Sequence, residues 1–266
     1  MLPRPNSHPR TSRRRSRAGR PAGARTAGPL PIRTLALASA VALMLVLPAA
    51  GIAASGGGGI GPGGNQQSQR ANGTVSSTVN GITITTRASG FDGQTMKFLG
   101  SVSRRHAGRT IVIERQGRGS SQNWVDTTTA TVASDGSFRA AWNASSAGPF
   151  TIRAVLQGSR AANAASSWPK VQVIVYRMSV ATIYGPGFWG RSTACGETLR
   201  HKTLGVANRT LPCGTKVSIY YAGRSIVVPV IDRGPYANGA SWDLTMATAK
   251  ALHMPGTETV GGARLS

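Results

Sequence analysis

The sequence VPVIDRGPYANGASWD, residues 228–243, is the most informative stretch of this chain. The apolar run Ile226–Ile231 predicts a buried strand that ends at Asp232, in a turn imposed by a Gly-Pro pair. A second carboxylate, Asp243, follows at the start of a helix-like segment. The whole chain contains only eight acidic residues. Two of them around one tight turn therefore indicate a functional site.

The chain is strongly basic. Its 266 residues carry a formal net charge of +23, which falls to +14 without the nine Arg of residues 1–54. Such a surface attracts polyanions, including nucleic acid, teichoic acid, anionic lipid and the carboxylates of peptidoglycan. The sequence has no zinc-finger spacing and no Arg/aromatic stacking motif, so we expect no nucleic-acid partner. Anionic wall polymers are candidate partners.

The first 54 residues have the order of a secretory signal. An Arg-rich segment that ends at Arg33 precedes the apolar run Leu35–Leu47, and small residues at 49–54 offer a cleavage site. An uncleaved anchor is the alternative, because the apolar stretch approaches the length of a membrane span. We predict an exported protein, secreted or associated with the cell envelope, that meets the membrane only through this segment. Residues 55–73, rich in Gly, Gln and Ser, predict a linker.

Residues 74–176 alternate short β-branched runs with turn residues, a spacing that predicts an antiparallel β-sandwich. Its seven strands are expected near residues 82–86, 98–102, 110–116, 124–132, 138–142, 150–156 and 171–176. The motifs SDGSF and AGPFTIRA resemble bacterial immunoglobulin-like modules of cell-surface proteins. We see no catalytic constellation in this part of the sequence. Residues 161–169 are interpreted as a connector to a second domain, 177–266.

The second domain is also predicted to be rich in strands. They are expected at residues 179–184, 216–221 and 225–231, with a weaker strand within 257–265. The segment WDLT, residues 242–245, is interpreted as the start of a helix that runs to Leu252. Either Asp243 or Thr245 would be the N-cap of that helix.

Four motifs follow one another in this domain: YGPGFWGRSTACGE (184–197), LGVANRTLPCGTKV (204–217), VVPVIDRGPY (227–236) and WDLT (242–245). In this order they resemble the double-psi β-barrel of rare lipoprotein A (RlpA)-like proteins, over about ninety residues. The resemblance implies an all-β fold with a six-stranded barrel, related to expansins and some endoglucanases. It also implies the activity of septal lytic transglycosylases, which cleave peptidoglycan glycan strands without water and leave an anhydro sugar.

The resemblance assigns catalytic acids. The family's acid in DRGP falls on Asp232, its GE acid on Glu197, and the acid of the expansin-type segment on Asp243. We expect Asp232 to be the main acid/base and Asp243 to be the second candidate for the general acid. A carboxylic acid with a raised pKa can protonate the glycosidic oxygen and later accept a proton from the sugar's own hydroxyl. Asn208 stands where the family has a His, and an amide carries no proton. This difference favours the alternative of a non-catalytic, expansin-like glycan-binding or wall-loosening protein.

The carboxylates also have structural interpretations, since Asp232 could stabilise its turn with Arg233 as partner and Asp243 could cap the helix. Aromatic side chains at the motif ends would stack on sugars or fill the barrel core. The residues that we expect to bind substrate are Asn208, Tyr184, Phe188, Trp189, Arg233, Tyr236 and Trp242.

The two cysteines, Cys195 and Cys213, lie in this second domain. In an exported chain an oxidising environment favours a disulfide, and two unpaired buried thiols are the alternative. The four His residues, at 8, 106, 201 and 253, lack metal-ligand spacing. We therefore expect no metal and no cofactor. A structural or adhesive surface protein, with the sandwich as its functional part, is the last alternative.

Overall fold

The computed structural model describes residues 69–117, 123–159, 168–236 and 239–265. The predicted signal, nearly all of the predicted linker, and most of the predicted connector lie outside these ranges. Within them the chain forms fifteen β-strands, a 3-10 helix at Arg104–His106 and one α-helix. None of the described helices has the length and apolarity that crossing a bilayer requires. The prediction of an all-β protein is confirmed.

The strands before residue 160 are short. They are β1 (Gln69–Arg70), β2 (Thr74–Val79), β3 (Ile82–Arg87), β4 (Ser89–Phe91), β5 (Thr95–Ser101), β6 (Thr110–Gly117), β7 (Val125–Thr131), β8 (Ser137–Asn143) and β9 (Gly148–Leu156). The elements that follow are β10 (Lys170–Tyr184), β11 (Val206–Ala207), β12 (Lys216–Tyr221), β13 (Arg224–Asp232), β14 (Trp242–Thr245), α1 (Met246–Leu252) and β15 (Glu258–Arg264).

Two sheets of the N-terminal part enclose one apolar core. One sheet has the order β2-β3-β5-β8, and the other is formed by β7, β6, β9, the first half of β10 and β4. Along β8, Phe138, Ala140 and Trp142 are buried and alternate with more exposed residues. Trp142 packs edge-to-face on Phe150 of β9, with ring centroids 5.2 Å apart. Every strand predicted for this part is present, and the sequence missed β2 and β4.

The C-terminal part is a closed six-stranded barrel, as predicted. Each strand pairs with the next in the order β10-β15-β12-β13-β11-β14, and β14 returns to β10. The β10–β14 and β11–β13 pairs are parallel, and the other four are antiparallel. At Gly262 a Cβ would lie 2.5 Å from the indole of Trp242, so the indole packs directly on the backbone of β15. Closure buries a core of mainly aliphatic side chains.

The helix begins later than predicted. Residues 242–245 form β14, which pairs with β10 and β11, and α1 follows it. The hydroxyl of Thr245 accepts a hydrogen bond from Thr248 N at 3.2 Å, so Thr245 is the N-cap. The interpretation of WDLT as a helix start is wrong, because pairing with two strands from elsewhere in the chain overrides the local pattern. Asp243 is therefore a strand residue and does not cap the helix.

One strand belongs to both parts of the molecule. The first half of β10 pairs with β9 and β4, and its second half pairs with β15 and β14. At the transition the buried Tyr176 donates to or accepts from Ser218 at 2.9 Å, and its ring packs near Phe91 and Tyr220. β1 adds a further link, since it pairs with β13 of the barrel. The chain crosses the predicted boundary at Arg177 within an unbroken strand.

Candidate functional site

Asp232 ends β13, and backbone groups fix its carboxylate. Its Oδ1 accepts hydrogen bonds from Ala194 N and Arg233 N, both at 2.8 Å. The guanidinium of Arg233 instead donates to Leu211 O at 2.9 Å and to Cys213 Sγ at 3.3 Å. Both backbone bonds therefore go to the same oxygen of the carboxylate. The partner that the sequence suggested is thus the backbone of Arg233 rather than its charged side chain.

Asp243 lies on the same wall of the barrel, two strands away. Ala207 of β11 pairs with Asp232 on one side and with Asp243 on the other. The β11–β13 register shifts between Val206 and Ala207, so the pairing places the two carboxyls on the strands that neighbour β11 without fixing which way each one points. They are close enough for the charge of Asp232 to act on Asp243. The hydroxyl of Thr182 donates to Asp243 Oδ1 at 2.7 Å. Burial raises the pKa of Asp243, and the charge of Asp232 adds to that effect, while the Thr182 bond opposes it.

Glu197 lies on an exposed loop that follows β10. Thr193 orders this loop, since its N donates to Glu197 O at 2.8 Å and its hydroxyl accepts from Glu197 N at 3.2 Å. A disulfide joins Cys195 of this loop to Cys213, with Cα atoms 5.7 Å apart. The predicted bridge is confirmed. It ties the Glu197 loop to the turn that precedes β12, next to Asp232.

Tyr184 is the residue that brings the three acids together. Its hydroxyl is buried and has no hydrogen-bond partner among the residues that the structure describes. Burial raises the pKa of Tyr184, and the negative charges of Asp232, Asp243 and Glu197 raise it further. All three predicted carboxylates are therefore close enough for their charges to act on this phenol.

Both the oxygen and the nitrogen of the Asn208 side-chain amide make hydrogen bonds within the protein. Oδ1 accepts from Thr210 N at 3.1 Å and from Leu211 N at 2.9 Å, and Nδ2 donates to Ser241 O at 3.1 Å. This is an Asx-type turn that shapes the loop after β11. The residue that replaces the family's His thus organises the loop beside Asp232, whose carbonyl accepts from Asn208 N at 3.1 Å.

Arg209 holds the loop on the other side of Asp232, a role that the sequence did not reveal. One nitrogen, Nη1, donates to Pro235 O at 2.6 Å and to Ala240 O at 2.9 Å. The loop that follows Asp232 is therefore braced against the loop that follows β11. Thr182 was missed as well, although its position two residues before Tyr184 on one strand predicts the same face.

The predicted aromatic residues divide into three groups. Phe188 and Tyr236 are 52% and 79% exposed and can offer ring faces to a glycan. Trp189 is half-buried, and His201 lies over it with ring centroids 4.3 Å apart. Trp242 is only 8% exposed and belongs to the barrel core. Its burial beneath β15 is at odds with the predicted substrate contact.

An open groove of about 530 Å³ lies beside Asp243, and Asp232 is not among the residues that line it. Its lining residues are Thr182, Ile183, Arg233, Gly234, Pro235, Tyr236, Asp243, Gly256 and Thr257. The groove combines the half-buried carboxyl of Asp243, an arginine and an exposed tyrosine ring, which suits a polar, ring-containing ligand. Across the described ranges, no three His, Cys, Asp or Glu side chains are grouped to bind a metal.

The barrel is similar to known proteins. Residues 178–263 match the family model described as lytic transglycolase. The probable endolytic peptidoglycan transglycosylase RlpA of Synechocystis is 45% identical over 75 residues, which is 27% of this chain and 23% of that protein. The protein of the same description from Nostoc is 37% identical over 105 residues, covering 37% and 28%. The endolytic peptidoglycan transglycosylase RlpA of Campylobacter jejuni is 40% identical over 77 residues, covering 28% of each.

These matches confirm an RlpA-like double-psi β-barrel. The chain spans about a quarter of the length of the curated relatives that it matches. Among solved structures, the Streptomyces papain inhibitor is 28% identical, with 33% of this chain and 93% of that chain covered and a TM-score of 0.26.

Proposed function

We propose that this chain is an exported cell-wall protein whose barrel binds peptidoglycan glycan strands and cleaves them as a lytic transglycosylase. The observation that carries the proposal is the pair of carboxyls Asp232 and Asp243, which lie on the two strands that flank Ala207. The environments of the two carboxyls differ, and such differences separate a general acid from a general base. The lytic transglycolase family model and the names of the RlpA relatives support the substrate and the reaction class.

The two acids divide the proton transfers in this proposal. Asp243, whose pKa is raised by burial, donates its proton to the glycosidic oxygen as the bond to the anomeric carbon breaks. Asp232 accepts the proton of the sugar's own hydroxyl, and that hydroxyl oxygen attacks the anomeric carbon to close the anhydro ring. A proton then returns from Asp232 to Asp243 through solvent. Phe188 and Tyr236 stack on sugar rings.

The test uses glycan strands without stem peptides and measures, by mass spectrometry, the glycan fragments that end in an anhydro sugar. We expect product from the unaltered protein and a fall of about 100-fold or more in Asp232→Asn and in Asp243→Asn. Asp126→Asn, an exposed carboxylate of the sandwich, is the matched control and should keep full activity. Full activity in Asp243→Asn would refute the division of roles given above.

A non-catalytic glycan binder is the second candidate, and Asn208 is the observation in its favour. The amide carries no proton, and its hydrogen bonds are made within the protein. In this case the unaltered protein binds the glycan strands but yields no anhydro product. Pull-down of the same strands, run beside the mass spectrometry, separates the two functions.

We further infer that residues 74–176 form an immunoglobulin-like module. The strand order supports this inference, because one sheet is β3-β5-β8 with β2 added at its edge, and the other is β4-β10-β9-β6-β7. The short strand β4 lies at one edge of the second sheet, where it pairs in parallel with β10, the last strand of the module. In this proposal the sandwich acts as a spacer in a surface protein and positions the barrel at its substrate.

A further inference from the structure

A second cavity lies in the sandwich, at the end far from the candidate active site. It measures about 220 Å³. Trp168, which lines it, lies just before the start of β10, whereas Tyr184 is the last residue of that strand. The two positions are separated by roughly 50 Å of extended chain. This cavity is therefore a separate site.

The rim of the cavity is formed by cationic side chains. Arg105 Nε donates to His106 Nε2 at 3.1 Å, and Arg109 Nη1 lies 3.4 Å from His106 Nδ1. If His106 is neutral and accepts a hydrogen bond at Nε2, its proton is on Nδ1. That N–H then faces the guanidinium of Arg109, which is also a donor. Desolvation lowers the pKa of His106, and both arginines lower it further. The residues that line the cavity include no carboxylate, so neither Arg105 nor Arg109 has an anionic side chain beside it in the cavity lining.

A buried donor adds to this arrangement. Trp168 is 3% exposed, and its indole N–H is buried and has no hydrogen-bond partner among the described residues. An unsatisfied buried donor destabilises the folded protein, and a ligand acceptor would remove that cost. The floor is apolar, since Ile82, Val102 and Leu156 line it and are buried. The cavity thus combines hydrogen-bond donors with space for small apolar groups.

We propose that this cavity binds the free C-terminal carboxylate of a short peptide with small apolar side chains. The carboxylate would accept hydrogen bonds from Arg105 and from the Trp168 indole, and methyl-sized side chains would fill the floor. A glycerol phosphate polymer offers the charge but no apolar group for the floor, so the cavity favours the peptide. Peptidoglycan stem peptides have this chemistry, and their relevance here depends on the proposed function. Binding itself requires no cleavage by the barrel.

The test measures direct binding of small probes to the whole exported chain. Calorimetry and the indole resonances of the ¹⁵N-labelled protein detect the binding. The probes are acetyl-D-alanyl-D-alanine, its C-terminal amide and glycerol phosphate. We expect saturable binding of the acid, at least tenfold weaker binding of the other two probes, and a shift of the Trp168 indole signal. The pKa of His106 should rise when the acid binds, because an anion then offsets the two arginines.

The variants distinguish a built site from general positive charge. Arg105→Gln should weaken binding of the acid at least tenfold. The matched control is Arg104→Gln, an exposed neighbour that does not line the cavity, and it should bind like the unaltered chain. Equal binding of acid and amide, preference for glycerol phosphate, no saturable binding, or equal losses in the two variants would each overturn the proposal. The mass-spectrometric assay for glycan cleavage is independent of all these outcomes.

Discussion

Asp243 lies half-buried on the barrel wall, and this environment alters its proton affinity. Its pKa is raised mainly by burial and then by the charge of Asp232. The folded protein therefore holds this proton to a higher pH than the unfolded chain does. By linkage, stability is full below the ordinary pKa of 3.8 and falls as the pH rises through the raised pKa.

The first prediction concerns stability as a function of pH. Asp243→Asn should raise the melting temperature at pH 7, because the amide has no charge to desolvate and can still accept from Thr182. The gain should disappear below pH 3.8, where the wild-type carboxyl is protonated. Thermal unfolding followed by circular dichroism at both pH values measures it. Asp126→Asn, which removes an exposed charge, serves as control, and an equal gain there would contradict the burial argument.

Asn208 stabilises the loop after β11 through its side-chain amide. Its amide supports the loop after β11 through Thr210 N, Leu211 N and Ser241 O. Asn208→Ala should lower the free energy of unfolding by about 1–3 kcal/mol, since it leaves backbone groups without partners. Urea unfolding measures this loss, and Arg200→Ala on an exposed turn is the control. An unchanged unfolding free energy would show that the loop holds without the amide.

At the scale of elements, β11 is a strand of two residues with a large effect on the site. It lies between β13 and β14 and pairs with both, so Ala207 is opposite Asp232 and Asp243 at once. The loops on either side of β11 are tied down by side chains. Arg209 binds the carbonyls of Pro235 and Ala240, and the disulfide holds the loop that contains Ala194.

The disulfide supplies the prediction at this scale. Its cysteines are 18 residues apart, and closing a loop of that size stabilises a protein by about 3 kcal/mol in the chain-entropy model. Cys195→Ala with Cys213→Ala should therefore lower the free energy of unfolding by about that amount. Activity should fall as well, because Ala194 N helps to fix Asp232. Urea unfolding with and without reductant measures the effect.

The double variant also provides the control, because reductant should destabilise the unaltered chain and leave the variant unchanged. If the unaltered chain kept its unfolding midpoint in reductant, the bridge would contribute nothing to stability.

At the scale of the whole molecule, β10 joins the two cores. The strand pairs with both sheets without interruption, and Tyr176 packs with Phe91 and Tyr220 where they meet. Arg177 and Asp92 add an ion pair across the same region, at 2.7 Å. A strand that is shared in this way couples the stability of the sandwich to that of the barrel.

The whole-molecule prediction is a single unfolding transition. Fluorescence of Trp142 in the sandwich core and of Trp242 in the barrel core should report the same urea midpoint. Tyr176→Ala should cost about 3–5 kcal/mol and separate the two midpoints. The conservative Tyr176→Phe keeps the ring and loses only the bond to Ser218, for about 1 kcal/mol. Separate midpoints in the unaltered chain would disprove the coupling.

The sequence by itself determined the all-β class, the strands between well-marked turns, the disulfide and the order of the barrel motifs, because each depends on local patterns or on residue chemistry. Only the tertiary structure decided that WDLT is a strand, since its partners in β10 and β11 come from distant parts of the chain. The same pairing set Asp232 and Asp243 on either side of Ala207, buried Trp242, and gave the amide of Asn208 its loop contacts. Periodicity reports which residues are buried, whereas the neighbours of a carboxyl group depend on how the barrel closes.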